Sequence, residues 1–165
     1  MSAPFEDVVR FKRNHFSARL PKGYSYTLAH FWLYEHDNGE WRIGLTSFAT
    51  RMLGEIVEFE FEVKPKQSVK VAQVVGWIEG FKAVSDIFCV ANGQFVTVNA
   101  QANDNPEVIC NDPFGDGWLY SVRGQPDPQV LDVDNYVEHL NRTIDKMLDQ
   151  PWKSGELNAG EQTSP

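Results

Sequence analysis

Between residues 57 and 63 apolar and acidic side chains alternate one for one: Val57, Phe59, Phe61 and Val63 in one parity, Glu58, Glu60 and Glu62 in the other. A strand turns successive side chains to opposite faces, so this run predicts a strand with one dry and one wet side. Phe31 and Leu33 against Trp32 and Tyr34, then Trp41, Ile43 and Leu45 against Arg42 and Gly44, repeat the rhythm. Asp37-Asn38-Gly39 separates them, and Asn-Gly suits the left-handed backbone of a tight hairpin turn. Residues 69–79 are apolar enough to predict one long central strand, and Asn92-Gly93 predicts a second turn, into a strand over 94–99.

Helical signals are sparse. Thr46 is placed to cap a helix over 47–53 that packs Phe48, Met52 and Leu53 inward, with Gly54 where such a helix stops. Asn105-Pro106-Glu107 offers a cap with proline in the first turn. After Arg123 the pattern changes. Gly124-Gln125-Pro126-Asp127-Pro128 predicts a linker, and Asp132 or Asp134 caps a helix running to about Asp149. Val133, Val137, Leu140, Ile144, Met147 and Leu148 share one face of it, a stripe expected to lie on the strands. The chain thus divides into an N-terminal extension (1–23), a β domain (24–123), a linker with an amphipathic helix (124–151) and a tail (152–165) expected to be disordered.

One lysine stands out by position. Val74-Val75-Gly76-Trp77-Ile78-Glu79 and Val84-Ser85-Asp86-Ile87-Phe88-Cys89-Val90 are two strand-like runs, and Gly80-Phe81-Lys82-Ala83 is the spacer between them. This reads as a hairpin with Lys82 at its tip, open to another protein. A turn lysine also serves as a solvated charge that keeps a sheet edge unpaired, and the hairpin alone does not separate the two roles.

Charge narrows the function classes. The net charge is −8, which splits into +3 over residues 1–23 (five basic, two acidic) and −11 over the rest (ten basic, twenty-one acidic). An acidic body repels phosphate backbones, so nucleic acid is not an expected partner. No apolar run is long enough to cross a bilayer, the first residues lack the apolar stretch of a secretory signal, and cytoplasm is the expected location. Cys89 and Cys110 are too few and too far apart for a zinc or CxxC redox site, and His15, His36 and His139 have no metal-ligand spacing. No Ser/His/Asp or paired-carboxylate arrangement stands at a recognisable spacing, so a stand-alone enzyme is not expected.

Around the lysine, Glu79-Gly80-Phe81-Lys82-Ala83-Val84-Ser85-Asp86 resembles the lipoyl-lysine hairpin of the glycine cleavage H protein family. Further matching pieces follow in order. They are Tyr26-Thr27 with His30 and Trp32, Ile43-Gly44-Leu45-Thr46, Leu53-Gly54-Glu55-Ile56-Val57, Asn92-Gly93, Val98-Asn99, Asn105-Pro106-Glu107 and Asp112-Pro113-Phe114-Gly115-Asp116-Gly117-Trp118-Leu119. The resemblance spans about residues 24–123.

It implies a mainly β fold: a lipoyl-type barrel-sandwich hybrid of antiparallel strands with short helices and a C-terminal helix. The implied function is a carrier with lipoate in amide linkage to Lys82, with Glu79 and Asp86 in ligase recognition and His30 in docking of the arm. Biotin is the alternative cofactor, but biotinyl domains usually flank the lysine with Met, where this chain has Phe81 and Ala83. The implied partners are a lipoate-protein ligase or lipoyl transferase, dihydrolipoamide dehydrogenase, and either the glycine cleavage enzymes or a heterodisulfide-reductase-like complex. Departures from the family pattern (His30-Phe31-Trp32 for the usual His-Glu-Trp, Gly80-Phe81 before the lysine, the basic N-terminus) resemble the divergent lipoate-binding branch linked to sulfur oxidation. That branch is the expected pathway, and glycine cleavage is the alternative.

Overall fold

The structure, a computed structural model, describes residues 7–149. The predicted tail over 152–165 lies outside the described residues. Eleven strands and four helices follow in the order β1 (Val8–Arg13), β2 (Phe16–Pro21), β3 (Ser25–Tyr26), β4 (Phe31–Asp37), β5 (Glu40–Leu45), α1 (Ser47–Leu53), β6 (Ile56–Phe61), β7 (Ser68–Val69), β8 (Val74–Gly80), β9 (Val84–Phe88), β10 (Ala91–Val98), α2 (Ala100–Asp104), α3 (Glu107–Asn111), β11 (Tyr120–Pro126) and α4 (Val133–Asp149). A six-stranded sheet in the order β3-β4-β5-β11-β10-β7 faces a three-stranded sheet β6-β8-β9, and β1-β2 stand apart as a hairpin. All the pairings are antiparallel. The expected barrel-sandwich hybrid is the observed architecture.

Two cores share one strand. Phe31 and Leu33 of β4 join Ile43, Phe59, Val75, Ile78, Ile87, Phe95 and Tyr120 between the two larger sheets. Trp32, which points to the opposite side of β4, joins Phe11, Phe16, Leu20, Tyr24, Tyr26, Phe48, Phe114 and the α4 residues Val133, Tyr136, Leu140 and Ile144. So β4 is dry on both faces at its start, and the parity read from its sequence separates two interiors there. Gly44, opposite Trp32, makes room for the indole: a Cβ at Gly44 would meet that ring at 2.6 Å. The Trp32 Nε1–H reaches the carbonyls of Leu45 (3.1 Å) and Pro113 (2.9 Å).

Several local predictions meet their residues. Asn38 and Gly39 form the two-residue β4–β5 turn, with Gly39 at φ +76°. Thr46 caps α1 by accepting from the Ala49 N–H, and Gly54 (φ +80°) closes it. Asp132 caps α4 through the Asn135 N–H. The α4 stripe is buried at Val133, Leu140 and Ile144 but exposed at Met147 and Leu148, and Tyr136, absent from the stripe, is fully buried.

Other predictions are corrected. Asn92-Gly93 is no turn; both residues lie within β10, opposite Gln125 and Gly124 of β11. The two glycines let the strands approach, since a Cβ on Gly93 would stand 2.0 Å from the Arg123 carbonyl oxygen. Gly124, Gln125 and Pro126, read as the start of a linker, are the last residues of β11. The long strand over 69–79 is split into β7 and β8 by a turn, where Gln73 N donates to Lys70 O and Ala72 takes φ +75°. Met52 is exposed rather than inward, and Val57 is exposed because the β6–β8 register shifts between Ile56 and Glu58. Asn105 gives α3 no side-chain cap, and α2, capped by Asn99, is an element the sequence signals do not predict.

Gly93→Val is expected to destabilise the protein by about 1–3 kcal/mol or more, the usual range for overfilling a closed site. Urea unfolding measures it, and an unchanged midpoint would show that β10 and β11 can part without cost.

Candidate functional site

Lys82 is at the apex of the β8–β9 hairpin, where Glu79 pairs with Val84 and the Gly80 N–H donates to Ala83 O (2.9 Å). The apex does not hang free. Phe81 N–H donates to Glu55 O (3.0 Å) and Lys82 N–H to Leu53 O (2.8 Å), so two backbone bonds fix it to the end of α1. Contact this close needs glycine on both sides. A Cβ on Gly80 would stand 2.2 Å from Leu53 O, and one on Gly54 would stand 2.9 Å from Lys82 Cγ.

Backbone and side chain are thereby treated differently. The peptide of Lys82 is held at two neighbouring positions, while its side chain is exposed and its Nζ has one long contact, 3.4 Å to Arg51 O. Acylation would turn the ammonium into a neutral amide, and that amide keeps one N–H able to serve the same carbonyl. Phe81 (77% exposed) and Val84 (66%) flank the lysine as large apolar side chains left in water.

The sequence-predicted residues divide into two groups. Trp77 pairs with Asp86 and Glu79 with Val84, so Trp77, Glu79, Asp86 and Val84 share one face of the Lys82 hairpin. Asp86 is exposed, while Glu79 and Trp77 are half-buried. His30 is elsewhere. It is the residue before β4, at φ +72°, with its ring 4.7 Å from Phe48 near the start of α1; Lys82 is held at the far end of that helix.

His30 Nδ1 lies 2.8 Å from the Tyr136 hydroxyl, which itself donates to Thr46 Oγ1 (2.9 Å), the capping atom of α1. With the hydroxyl proton committed to Thr46, Nδ1 must carry the ring proton and donate to Tyr136. Burial, and then the neighbouring His139, hold the imidazole down to a pKa of about 4.

A residue that sequence reasoning set aside comes close to the lysine. Cys110 on α3 is a half-buried free thiol whose Sγ faces Gly54 O at 3.8 Å, across the glycine from the Lys82 stem. Burial pushes its thiol pKa up, so it is a poor nucleophile at neutral pH. Cys89 is fully buried against Ala91 O. The signal for the apex contact was present in Leu53-Gly54 and Gly80, since paired glycines mark close backbone approach, but nothing local says which two segments meet. Among the described residues no cluster of three or more His, Cys, Asp or Glu is arranged for a metal ion.

The burial of His30 gives a pH dependence. A histidine whose folded pKa (about 4) lies below its unfolded value (6.5) binds fewer protons when folded, so its stabilising effect is complete above about 6.5 and lost as pH falls towards 4. Urea midpoints measured across that window are expected to fall for the native chain and to flatten in His30→Gln. Parallel curves would show that His30 titrates alike in both states.

The model of the glycine cleavage H-protein family matches residues 24–143. The chain is 35% identical over 106 residues to the glycine cleavage system H protein of Psychrobacter sp. strain PRwf-1, covering 64% of this chain and 83% of that one. It is 31% identical over 125 residues to that of Shewanella frigidimarina, covering 74% and 96%. The crystal structure of the Mycobacterium marinum H protein superposes with a TM-score of 0.68 at 34% identity, covering 74% of this chain and 99% of that one. With its lysine hairpin seated on a short helix between two antiparallel sheets, the chain belongs to the glycine cleavage H-protein family.

Proposed function

We propose that this protein is a lipoyl carrier and not itself an enzyme, with lipoate in amide linkage to Lys82. The observation that carries the reading is the split at the apex: a backbone fixed by Leu53 and Glu55, and a side chain left exposed. The dithiolane supplies thiol–disulfide chemistry and a sulfur that can hold a transferred group. This chain's own residues present the arm. The glycine-lined seat stops the hairpin from swinging, so the excursion belongs to the flexible side chain. Tethering then raises the effective concentration of the sulfurs at any partner site within reach.

In the same proposal the exposed hairpin face with Glu79 and Asp86 is what a lipoate-protein ligase or lipoyl transferase reads. Dihydrolipoamide dehydrogenase reoxidises the arm. Docking of the arm at His30 is its most remote part, because the Nδ1 of that residue is already given to Tyr136.

Glycine cleavage is the pathway named by the relatives, and there the arm would carry an aminomethyl group from glycine decarboxylase to aminomethyltransferase. A second reading, sulfur oxidation with a heterodisulfide-reductase-like complex, is favoured by one observation. At the position where the family usually has Glu, Phe31 is packed into the core, so no carboxylate stands there to meet a cationic load.

Intact mass of the protein from a host with an active ligase is expected to show one lipoyl increment, lost in Lys82→Ala and Lys82→Arg. An unmodified native chain would reject the carrier reading. Gly80→Ala, which drives a methyl into Leu53 O, is expected to slow lipoylation by tenfold or more while leaving the sheets folded. With the lipoylated protein in hand, glycine–bicarbonate exchange with purified glycine decarboxylase separates the pathways: turnover supports glycine cleavage, and its absence supports the sulfur reading.

A further inference from the structure

The β1–β2 hairpin lies outside the segment matched by the family, and its two faces differ sharply. Phe11, Phe16 and Leu20 are buried against Phe48 and α4. The other face carries Arg10 directly opposite Arg19, with Lys12 two residues along from Arg10 and opposite Ser17. All three cations are exposed, and none has an ion pair among the described residues. Like charges placed directly across a strand pair oppose its formation. The remaining hairpin cations are used internally, Arg13 on Asp145 of α4 and Lys22 on Asp7.

Three further facts place this face beside the arm. A groove of about 690 Å³ separates the hairpin from the segment around Cys110 to Phe114, bordered by Arg10, Lys12 and Arg19 on one side. Cys110 at its opposite wall touches Gly54, which packs on the Lys82 stem. The Arg51 guanidinium lies 5.8 Å from the Phe16 ring centroid, and the Arg51 carbonyl is the contact of Lys82 Nζ. The cationic face thus borders a groove whose far wall, with Asp112 and Cys110, leads to Gly54 and the lysine, on a molecule whose residues after 23 carry a net −11.

We propose that the Arg10–Lys12–Arg19 face is a docking platform for an acidic protein surface, the rim of a partner enzyme that the Lys82 arm enters. Its use in delivering the arm rests on the carrier reading; the binding itself does not. Charges at an interface rim act mainly on encounter rate and partner choice, and their reach is about 10 Å at 0.1 M salt. A protein is favoured over a nucleic acid because the surrounding body is acidic and would repel a continuous phosphate backbone. The hairpin therefore acts as a charge filter in front of the family-matched carrier.

The test uses the full-length chain and two fluorescein-labelled probes, a deca-glutamate peptide and a single-stranded DNA decanucleotide, read by anisotropy at low salt. The peptide is expected to bind the native protein and to bind Arg10→Ser/Lys12→Ser/Arg19→Ser at least tenfold more weakly, with loss of binding as salt is added. The native chain prepared without lipoylation is expected to show the same dependence on the three hairpin cations, which keeps this result apart from any failure of lipoylation. Arg142→Ser, which removes an exposed cation on α4, is expected to change nothing. Unchanged binding in the triple variant, an equal loss in Arg142→Ser, or tighter binding of the DNA than of the peptide would each overturn the proposal. Because the three side chains are exposed and Arg10 opposes Arg19 across the strand pair, the triple variant should melt at or above the native temperature, so the comparison is between folded chains.

Discussion

The seating of the Lys82 hairpin on the end of α1 is the constraint from which the functional geometry follows. Two backbone hydrogen bonds, Phe81 N–H to Glu55 O and Lys82 N–H to Leu53 O, join segments some thirty residues apart in sequence. They form only because neither Gly80 nor Gly54 brings a Cβ into the gap. The position of α1 is in turn set by its cap, since Thr46 Oγ1 holds the Ala49 N–H and receives the Tyr136 hydroxyl. The chain of dependence runs from α4 through Tyr136 and Thr46 along α1 to the lysine. A change at the back of the molecule can therefore shift the apex without touching it.

Much of this was written locally. Alternating Phe and Glu in β6, Asn38-Gly39 between β4 and β5, Thr46 and Gly54 at the ends of α1, and Asp132 before α4 each act on neighbours within a few residues, so a linear reading suffices. The apex lysine was legible for the same reason. What could not be read is what depends on a remote partner. Gly93 looked like a turn because Asn-Gly is turn chemistry, yet its glycine serves a close cross-strand meeting with Gly124. Val57 follows the period-two pattern and is still exposed, because a register shift in the neighbouring pairing rotates it out.

The candidate site shows the same division. Lys82, Glu79 and Asp86 came from one contiguous motif and remain together on one hairpin. His30 was grouped with them by resemblance, but the structure binds it to Tyr136, a residue over a hundred positions away. Cys110 had no sequence context that tied it to the lysine; only the fold brings both to Gly54. Asn99 illustrates how a polar residue can be fully committed in a dry place. It is buried, its Oδ1 accepts from Gln101 N–H, and its Nδ2 donates to Asp116 O and Trp118 O, so it both starts α2 and ties down the loop before β11.

Strand β4, with Phe31 and Leu33 in one interior and Trp32 in the other, makes the two aromatic layers a single cooperative body. A chain cut at residue 24, where the family match begins, would lose Phe11, Phe16 and Leu20 from the second aromatic layer and uncover Phe48. The segment that lies outside the family match is thus part of the interior around which the matched part folds.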